Sequence, residues 1–459
     1  MNYNEFLKTK QVKSVNAGIE VNRNSLNNSL FDFQRDIVWW ALKKGRCAIF
    51  ADTGLGKTLM QLSWAEQINK NTGGNVLILA PLAVSTQTIR EGERFGIKVN
   101  KARQQSDCLD GINITNYEMI EHFEATQFEA VVLDESSIIK SFTGKTTQGI
   151  IEKFKHTPYK LCCTATPAPN DYEELGNHSE FLGVMTRLEM LSTFFVHDSG
   201  DTAKWRLKGH AESKFWEWLA SWAMVIKNPA NLGYNGDKYN LPELKIKPII
   251  VESPQGNMLI PELACTLNER REARKESIHD RVDKAKQIAD SIDKCLIWCD
   301  YNLESEMLKK AINGAVEVKG ADKSQHKEWA MLGFANGEVN KLVSKPSICG
   351  FGMNWQQCNN IIFCGLSDSY ERFYQAIRRC YRFGQTKPVN VYVIVSEREQ
   401  TVLDNIKRKE VAAQRMSNEM VALTADILKA EIFNTTRITT DYEADTAIAM
   451  PEWIRRSQV

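Results

Sequence analysis

Residues 47–68, CAIFADTGLGKTLMQLSWAEQI, place an apolar strand, a glycine-bearing loop and an amphipathic helix in immediate succession. Backbone N–H groups of such a loop and the N-terminus of the following helix converge on one point, where they attract phosphate. A lysine at position 57 reaches the β- and γ-oxygens of a triphosphate, and the hydroxyl of Thr58 is a ligand for Mg²⁺. The stretch therefore predicts a site for ATP and Mg²⁺. The residues predicted to hold the nucleotide are Thr53, Gly54, Gly56, Lys57 and Thr58.

Apolar runs of strand length recur along the chain and alternate with longer amphipathic stretches. Such runs are typical of buried parallel strands, and the stretches between them are typical of helical crossovers. The pattern occurs twice and predicts an α/β fold with two parallel sheets in tandem. The runs are CAIFA, NVLILAP, AVVLDE and KLCCTAT in the first half, and CLIWCD, KLVSK, NIIFCG and VNVYVIVSE in the second.

Two carboxylates and two arginines complete the predicted site. Asp134 and Glu135 stand at the end of the strand AVVL. We expect Asp134 to hold Mg²⁺ and Glu135 to act as general base for the attacking water. Arg379 and Arg382 lie three residues apart, on one face of a predicted helix in the second half, which has no phosphate loop of its own. We expect them to reach a γ-phosphate bound by the first half.

The composition excludes several classes of protein. The length of 459 residues predicts about three domains, or two larger ones with insertions. A net charge of +1 excludes passive, charge-driven coating of nucleic acid, so a polyanion has to be held locally. No stretch is long and apolar enough for a membrane span and no secretory signal is evident, which predicts a cytoplasmic protein. The eleven cysteines are typical of buried thiols in a reducing compartment, and Cys295-x3-Cys299 is the single starting point for a zinc site.

The segment between the two series, residues 185–282, is predicted to be a mainly helical insertion. A stripe of apolar side chains on one helical face indicates core packing rather than base stacking, with Trp205 and Trp216 off the stripe and left open. The charged stretch 266–287 favours a solvated helix linking two lobes; a DNA-facing basic helix is the alternative. The stripe is Phe215, Trp218, Leu219, Trp222 and Ile226, and the basic cluster is Arg270, Arg271, Arg274 and Lys275.

Together these segments resemble the ordered motif set of superfamily 2 helicases, most closely the Swi/Snf-type double-stranded DNA translocases. The resemblance covers residues 30–400, and the block from Gly350 to Val395 resembles that family most. The segments that resemble helicase motifs, in chain order, are Phe33-Gln34, Ala51 to Thr58, PLAVSTQT from Pro81, Thr115 to Glu118, Asp134 to Ser137, Thr164 to Pro167, CLIWCD from Cys295, Gly350 to Asn354 and Gln375 to Gln385. The small size is similar to that of helicases encoded by bacteriophages and prophages.

The resemblance implies two RecA-like lobes with ATP and Mg²⁺ between them. Gln34 is implied to pair with adenine, and Gly352 to contribute to the nucleotide site. The residues implied to couple ATP to DNA are Thr115, Ser137, Thr164, Thr166, Asn354 and Gln375. The implied division is an N-terminal extension at 1–29, a first lobe at 30–184, a helical insertion and linker at 185–282, a second lobe at 283–425 and a C-terminal tail at 426–459.

The sequence departs from the family pattern at several positions. The motif after the third run reads DESS instead of DEAH or DEGH, so Ser137 takes the place of a coupling histidine. Arg378 replaces an acidic residue and Tyr381 replaces a histidine. In addition, Ala51 and Cys349 each replace a glycine. None of these changes affects the predicted catalytic residues, so we expect ATP hydrolysis to be intact. These residues are Lys57, Asp134, Glu135, Arg379 and Arg382.

Three functions are compatible with the motifs. The first is an ATP-dependent DNA translocase, a monomeric motor acting on duplex or single-stranded DNA with little sequence specificity, because contacts to the backbone do not carry base information. The second is a motor subunit or recruitment module that serves a nuclease, methyltransferase or replication partner. The third is an RNA helicase. Two roles are open for Trp355: its ring stacks on a nucleobase, or it packs in the core.

Overall fold

The computed structural model describes residues 17–198, 201–252, 267–349, 353–367 and 369–433. Its strands form two parallel sheets and one antiparallel pair. The strands of the first half are β1 (Arg46–Ala51), β2 (Val76–Ala80), β3 (Val99–Lys101), β4 (Ile112–Asn116), β5 (Ala130–Asp134), β6 (Tyr159–Thr164), β7 (Phe195–Asp198), β8 (Asp201–Leu207) and β9 (Ala223–Ile226). Those of the second half are β10 (Leu244–Val251), β11 (Cys295–Cys299), β12 (Ala315–Val318), β13 (Lys341–Ser344), β14 (Asn360–Cys364) and β15 (Val389–Ser396).

Helices cover both faces of each sheet. In the first half they are α1 (Asp32–Lys44), α2 (Lys57–Thr72), α3 (Leu82–Arg94), α4 (Lys145–Lys153), α5 (Leu175–Leu182), α6 (Arg187–Phe194) and α7 (Glu212–Trp222). In the second half they are α8 (Leu267–Glu276), α9 (Ile278–Asp290), α10 (Asn302–Ala311), α11 (Ser324–Asn336), α12 (Pro346–Cys349), α13 (Tyr370–Ile377) and α14 (Gln400–Phe433). The predicted α/β architecture with two parallel sheets is confirmed.

The first sheet has the order β3-β4-β2-β5-β6-β1-β9, and the second has the order β10-β15-β14-β11-β13-β12. Strand β1 leads into the predicted phosphate loop and is buried on both faces. Ile49 packs in one apolar cluster and Phe50 in the other. Parallel strands present their carboxyl ends at one edge of the sheet, where loops collect ligand-binding residues. The loops after β1, β5 and β6 are therefore neighbours.

All eight predicted strands are present, and the sequence patterns missed several others. Strand β10 is an edge strand that pairs with β15 alone in the second sheet. Its sequence LKIKPIIV alternates apolar and charged residues and contains Pro248. A proline is tolerated at a sheet edge because it removes a ladder donor only on one side.

The segment 185–282 contains strands as well as the predicted helices. Helix α7 ends at Trp222, and the next four residues form β9, which pairs with β1 in the first sheet. Ile226, predicted to continue the helical stripe, therefore lies on a strand. The core prediction for the stripe is confirmed, because its members are buried, and Trp216 is buried with them, whereas Trp205 is partly buried at its edge.

The prediction of a solvated helix over 266–287 is wrong for two of its arginines. The DNA-facing alternative stays a prediction, because Arg274 also lines a groove between the lobes. Arg274 lies between Glu399 and Asp300, with N–O distances of 3.0 and 3.1 Å. Arg281 is fully buried and pairs with Glu304 at 2.7 Å. Charged residues at helical spacing predict a surface exposed to solvent. These two arginines instead pair with carboxylates of other segments: Asp300 follows β11, Glu304 lies on α10 and Glu399 follows β15. The side chains of Arg270 and Arg271 lie outside the described residues, and Lys275 is exposed.

The long helix α14 leaves the second lobe and returns to the first. Its later turns contact α7, β9 and α1. Lys44 pairs with Glu431 at 3.0 Å, and the Tyr172 hydroxyl donates to Glu419 at 2.7 Å. Within the part of the chain that the structure describes, no helix is long and apolar enough to span a membrane, and Cys295 and Cys299 join no cluster of three metal-binding side chains.

Candidate nucleotide site and interlobe groove

The loop between β1 and α2 is held open by two glycines in the left-handed region. Gly54 has φ 88° and Gly56 has φ 81°, conformations that a side chain disfavours. A Cβ at Gly54 would lie 2.8 Å from Phe383 of the second lobe. On the other side, the Gln34 amide donates to the Leu55 carbonyl at 2.8 Å. Gln34 and the loop, which were predicted to share the nucleotide, are thus in direct contact.

Lys57 begins α2 at the loop. Its ammonium donates to the Ala51 and Asp52 carbonyls at 2.7 and 3.3 Å. Burial lowers the pKa of Lys57, against the opposing effect of three surrounding carboxylates. Those carboxylates belong to Glu135, Asp52 and Asp134. The loop therefore brings a partly buried cation to the predicted catalytic acids. Thr58 follows in the first turn of α2, and the Thr53 N–H donates to the Asp52 carboxylate at 2.6 Å.

Asp134 ends β5 and is 5% exposed. The Gln61 amide donates to its Oδ2 at 3.0 Å, and the Glu135 N–H donates to its Oδ1 at 3.0 Å. Burial, helped by the neighbouring charge of Glu135, raises the pKa of Asp134 to about 7, against the opposing effects of Gln61 and Lys57. A bound cation stabilises the ionised form of such a buried carboxylate more than that of a carboxylate exposed to water. Gln61 was missed by sequence reasoning, because a glutamine inside a helix carries no signal.

Glu135 is the only residue other than glycine with a positive φ among the described residues, at 51°. Such a conformation costs free energy and persists where surrounding contacts hold it, often at functional sites. Its Oε2 is buried without a hydrogen-bond partner in the described residues. An unpaired carboxylate oxygen is available to orient water, which fits the predicted role of general base.

The two predicted arginines come from the second lobe. They lie in the turn after α13, which ends at Ile377, and not on one helical face as predicted. Arg379 is buried, and its guanidinium donates to the carbonyl and side-chain oxygens of Gln375, both at 3.1 Å. Burial lowers the pKa of Arg379, and the charge of Glu135 opposes that effect. Burial and the charge of Arg379 lower the pKa of Arg382 to about 10, and Glu135 again acts in the opposite sense. The structure thus brings both arginines within electrostatic reach of Glu135.

A second contact across the lobes was not predicted. The Arg378 guanidinium donates to Asp52 Oδ2 at 3.2 Å, and the Tyr374 hydroxyl donates to Oδ1 at 3.1 Å. The guanidinium also lies over the rings of Tyr374 and Tyr381, 4.8 and 5.3 Å from their centroids. Although burial works against it, the charge of Arg378 helps to hold the pKa of Asp52 below its usual value. Two departures from the family pattern, Arg378 and Tyr381, therefore belong to one interlobe cluster.

A groove of about 1570 Å³ runs between the lobes. Of the predicted coupling residues, Ser137, Asn354 and Gln375 line it together with Glu135. Its walls carry more basic than acidic side chains. The basic residues that line it include Arg90, Lys101, Arg103, Lys140, Lys327 and Arg372.

The remaining predicted residues lie elsewhere. Thr115 and Thr164 are buried at the ends of β4 and β6 and do not line the groove. Thr166 borders a separate cavity of about 460 Å³ together with Asp52 and Arg378. Gly352 lies outside the described residues, so its predicted role stays a prediction. Trp355 is fully buried and its indole donates to the Met331 carbonyl at 3.2 Å, so it packs in the core.

Two family models match this chain. The model of the SNF2-related domain matches residues 11–195, and that of the helicase conserved C-terminal domain matches residues 280–384. The chain belongs to the SNF2-related helicases. The matches include the phosphate loop and the Asp134-Glu135 pair in the first lobe and both arginines in the second. The protein is therefore an ATP-dependent helicase of the SNF2 type, a superfamily 2 ATPase.

Its similarity to individual relatives is distant. An uncharacterized ATP-dependent helicase, YqhH of Bacillus subtilis, is 23% identical, with 84% of this chain and 78% of that protein aligned. The SWI/SNF-related matrix-associated actin-dependent regulator of chromatin subfamily A-like protein 1 of Xenopus tropicalis is 21% identical over 81% of this chain. This SNF2-related chain spans 43% of that relative and 10% of the helicase SWR1 of Kluyveromyces lactis, which is 30% identical over 31% of this chain.

Among solved structures, the Sulfolobus solfataricus SWI2/SNF2 ATPase core in complex with dsDNA aligns with 92% of this chain and 100% of its own. The sequences are 17% identical and the TM-score is 0.43.

Proposed function

We propose that this SNF2-related helicase is a DNA translocase that converts ATP hydrolysis between its lobes into movement along the DNA backbone. One observation carries the proposal: Glu135 of the first lobe borders the large interlobe groove, whose lining includes basic side chains of both lobes, and it lies within electrostatic reach of Arg379 and Arg382 of the second. A catalytic residue that borders both the ATP site and the groove is positioned to respond to either.

The residues present fit ATP and Mg²⁺. The Thr58 hydroxyl and the Asp134 carboxylate are hard oxygen donors of the kind that Mg²⁺ prefers, and Asp134 is desolvated. When bound, Mg²⁺ neutralises charge on the phosphates. Lys57 and the glycine loop hold the phosphates, and Gln34 closes the adenine side of the loop. Glu135 orients and deprotonates the attacking water, and Arg379 and Arg382 stabilise the charge that develops on the γ-phosphoryl group.

The groove suits a nucleic-acid backbone. Lys101, Arg103 and Arg372 are exposed on its walls, whereas Arg90 and Lys140 pair across it with carboxylates of the other lobe. Side chains of this type contact phosphates without reading bases, so we expect little sequence specificity. Because the basic residues come from both lobes, a change in lobe separation moves two sets of phosphate contacts relative to each other. That movement is the proposed translocation step.

The primary test measures ATP turnover with duplex DNA, single-stranded DNA, RNA and no nucleic acid. We expect DNA to raise turnover and Lys57→Ala to abolish it. A double variant Lys101→Ala and Arg103→Ala should weaken DNA binding and reduce its salt dependence by about two phosphate contacts. The control removes two exposed lysines that do not line the groove, Lys155→Ala and Lys214→Ala.

Turnover that no nucleic acid stimulates would refute the proposed motor, and stimulation by RNA alone would make it an RNA helicase. A second assay distinguishes modes of action on DNA. Displacement of the third strand from a triplex reports translocation, and displacement from a forked duplex reports unwinding. We expect the first activity, since movement along the backbone needs only the two lobes.

A further inference from the structure

The short turn Ser136–Lys140, called here the motif II turn, directly follows the strained Glu135. It touches three parts of the molecule. Ser137, Ile138 and Lys140 line the interlobe groove. Lys140 also forms an ion pair with Glu371 on α13, the helix of the second lobe that precedes Arg379. The turn therefore lies between the groove, the catalytic carboxylate and the helix that precedes Arg379.

Helix α5 anchors this turn from the protein interior. The Asn177 amide donates to the carbonyls of Ile139 and Lys140, both at 2.8 Å. The His178 imidazole and the Ser136 hydroxyl are hydrogen-bonded at 3.1 Å. Asn177, His178 and Ser136 are all fully buried. Two adjacent side chains of one helix thus hold both ends of the motif II turn.

His178 is itself fixed by the first sheet. Its ring meets Phe50 of β1 edge to face, with the centroids 5.3 Å apart. Burial lowers the pKa of His178 to about 4, so the imidazole is neutral at physiological pH. Phe50 lies one residue before the phosphate loop. The anchor therefore connects the strand that carries the loop with the turn that follows the catalytic carboxylate.

We propose that Asn177 and His178 are positioning residues that transmit occupancy of the groove to Glu135. A ligand in the groove contacts the motif II turn, and the two anchors make the turn move as a unit instead of deforming locally. Glu135, joined to Ser136 by one peptide bond, changes its orientation with it. His178 thereby supplies, from a helix distant in sequence, the coupling for which the DESS motif itself has no histidine. The proposal rests on the proposed function.

The test uses Ser136→Ala, which removes one buried hydroxyl and adds no bulk. The matched control is Ser179→Ala on the same helix, because Ser179 is equally buried and donates to the Met185 carbonyl at 2.7 Å, away from the motif II turn. Turnover is measured with and without duplex DNA, together with the KM for ATP, the DNA affinity and the thermal midpoint. We expect Ser136→Ala to lower the DNA stimulation ratio about tenfold, the kinetic equivalent of one buried hydrogen bond.

The KM for ATP and the DNA affinity of Ser136→Ala should stay within about twofold of the wild type, since neither ligand contacts the anchor. The control should keep the full stimulation ratio. His178→Gln retains a donor and acceptor and should keep more stimulation than His178→Ala. The double variant with Ser136→Ala should be no worse than His178→Ala alone.

Equal stimulation ratios for Ser136→Ala and Ser179→Ala would overturn the inference while leaving the proposed motor intact. Additive losses in the double variant would also overturn it, because the two groups would then act independently. A wild-type protein that DNA does not stimulate would overturn both proposals.

Discussion

Breaking the interlobe contact between Arg378 and Asp52 should lower the catalytic rate. The two side chains are 14% and 17% exposed, so their pairing is only partly screened by water. Charge pairs at this distance across an interface couple by about 1.5–7 kcal/mol, and we take the lower end, about 2 kcal/mol, because both groups retain some solvent contact. That coupling corresponds to a change of roughly 30-fold in the ratio of closed to open lobes.

The effect should appear in kcat because Arg378 lies beside Arg379 on the same segment. When Arg378 pairs with Asp52, the neighbouring guanidiniums are held toward Glu135. Arg378→Ala should therefore lower kcat by up to about 30-fold at saturating ATP and DNA. Asp52→Asn should act similarly, since its amide oxygen still accepts the Thr53 N–H and the loop is preserved.

The assay is steady-state ATP turnover of both single variants and the double variant, analysed as a double-mutant cycle. We expect the double variant to lose no more than the worse single variant. Arg415→Ala serves as the control, because Arg415 pairs with Glu419 on the surface of α14 and is 79% exposed. If the losses of the single variants multiply to within about twofold in the double variant, the contact carries no coupling and the reasoning is refuted.

Three further predictions concern stability. Glu304→Gln should lower the free energy of unfolding by about 3–5 kcal/mol in urea, because it removes the carboxylate that pairs directly with the fully buried Arg281. A loss below about 1 kcal/mol would contradict this. Trp355→Ala should cost about 3–5 kcal/mol by leaving a cavity, with unchanged DNA affinity per folded molecule in a binding titration. Burial raises the pKa of Asp134 to about 7. Between pH of about 4 and about 7, the folded protein therefore keeps a proton on Asp134 that the unfolded chain has released. The free energy of unfolding falls as pH rises through this range. Asp134→Asn should therefore raise the thermal midpoint at pH of about 8 and leave it unchanged at pH of about 3, without nucleotide or metal present.

The parts of the site that are local in sequence were predictable. The phosphate loop, the carboxylates after β5 and the flanking strands each carry their signal within about ten residues, because turn geometry and strand burial are set by near neighbours. The two parallel sheets followed from the same runs. Strand β9 was missed because four apolar residues directly after a helix continue its pattern, and only pairing with β1 distinguishes them.

Contacts between distant segments were not predictable in the same way. Gln61 bonds to Asp134 across 73 positions, and Arg378 reaches Asp52 across 326. His178 meets Ser136 across 42 positions. Gln61 and His178 belong to no recognisable spacing, and each of the three pairs forms only when the sheets assemble. The one available signal was departure from the family pattern, as at Arg378, which marked the position without indicating its partner.

The return of α14 to the first lobe restricts how the two lobes can separate. The chain passes between them once before β10 and again along this helix, which at 34 residues is about 50 Å long. Because the two lobes are connected both by the segment before β10 and by α14, they cannot separate freely. Their relative motion is a rotation about the line through these two connections. In the proposed translocation cycle, this helix restricts the range over which the two lobes can open.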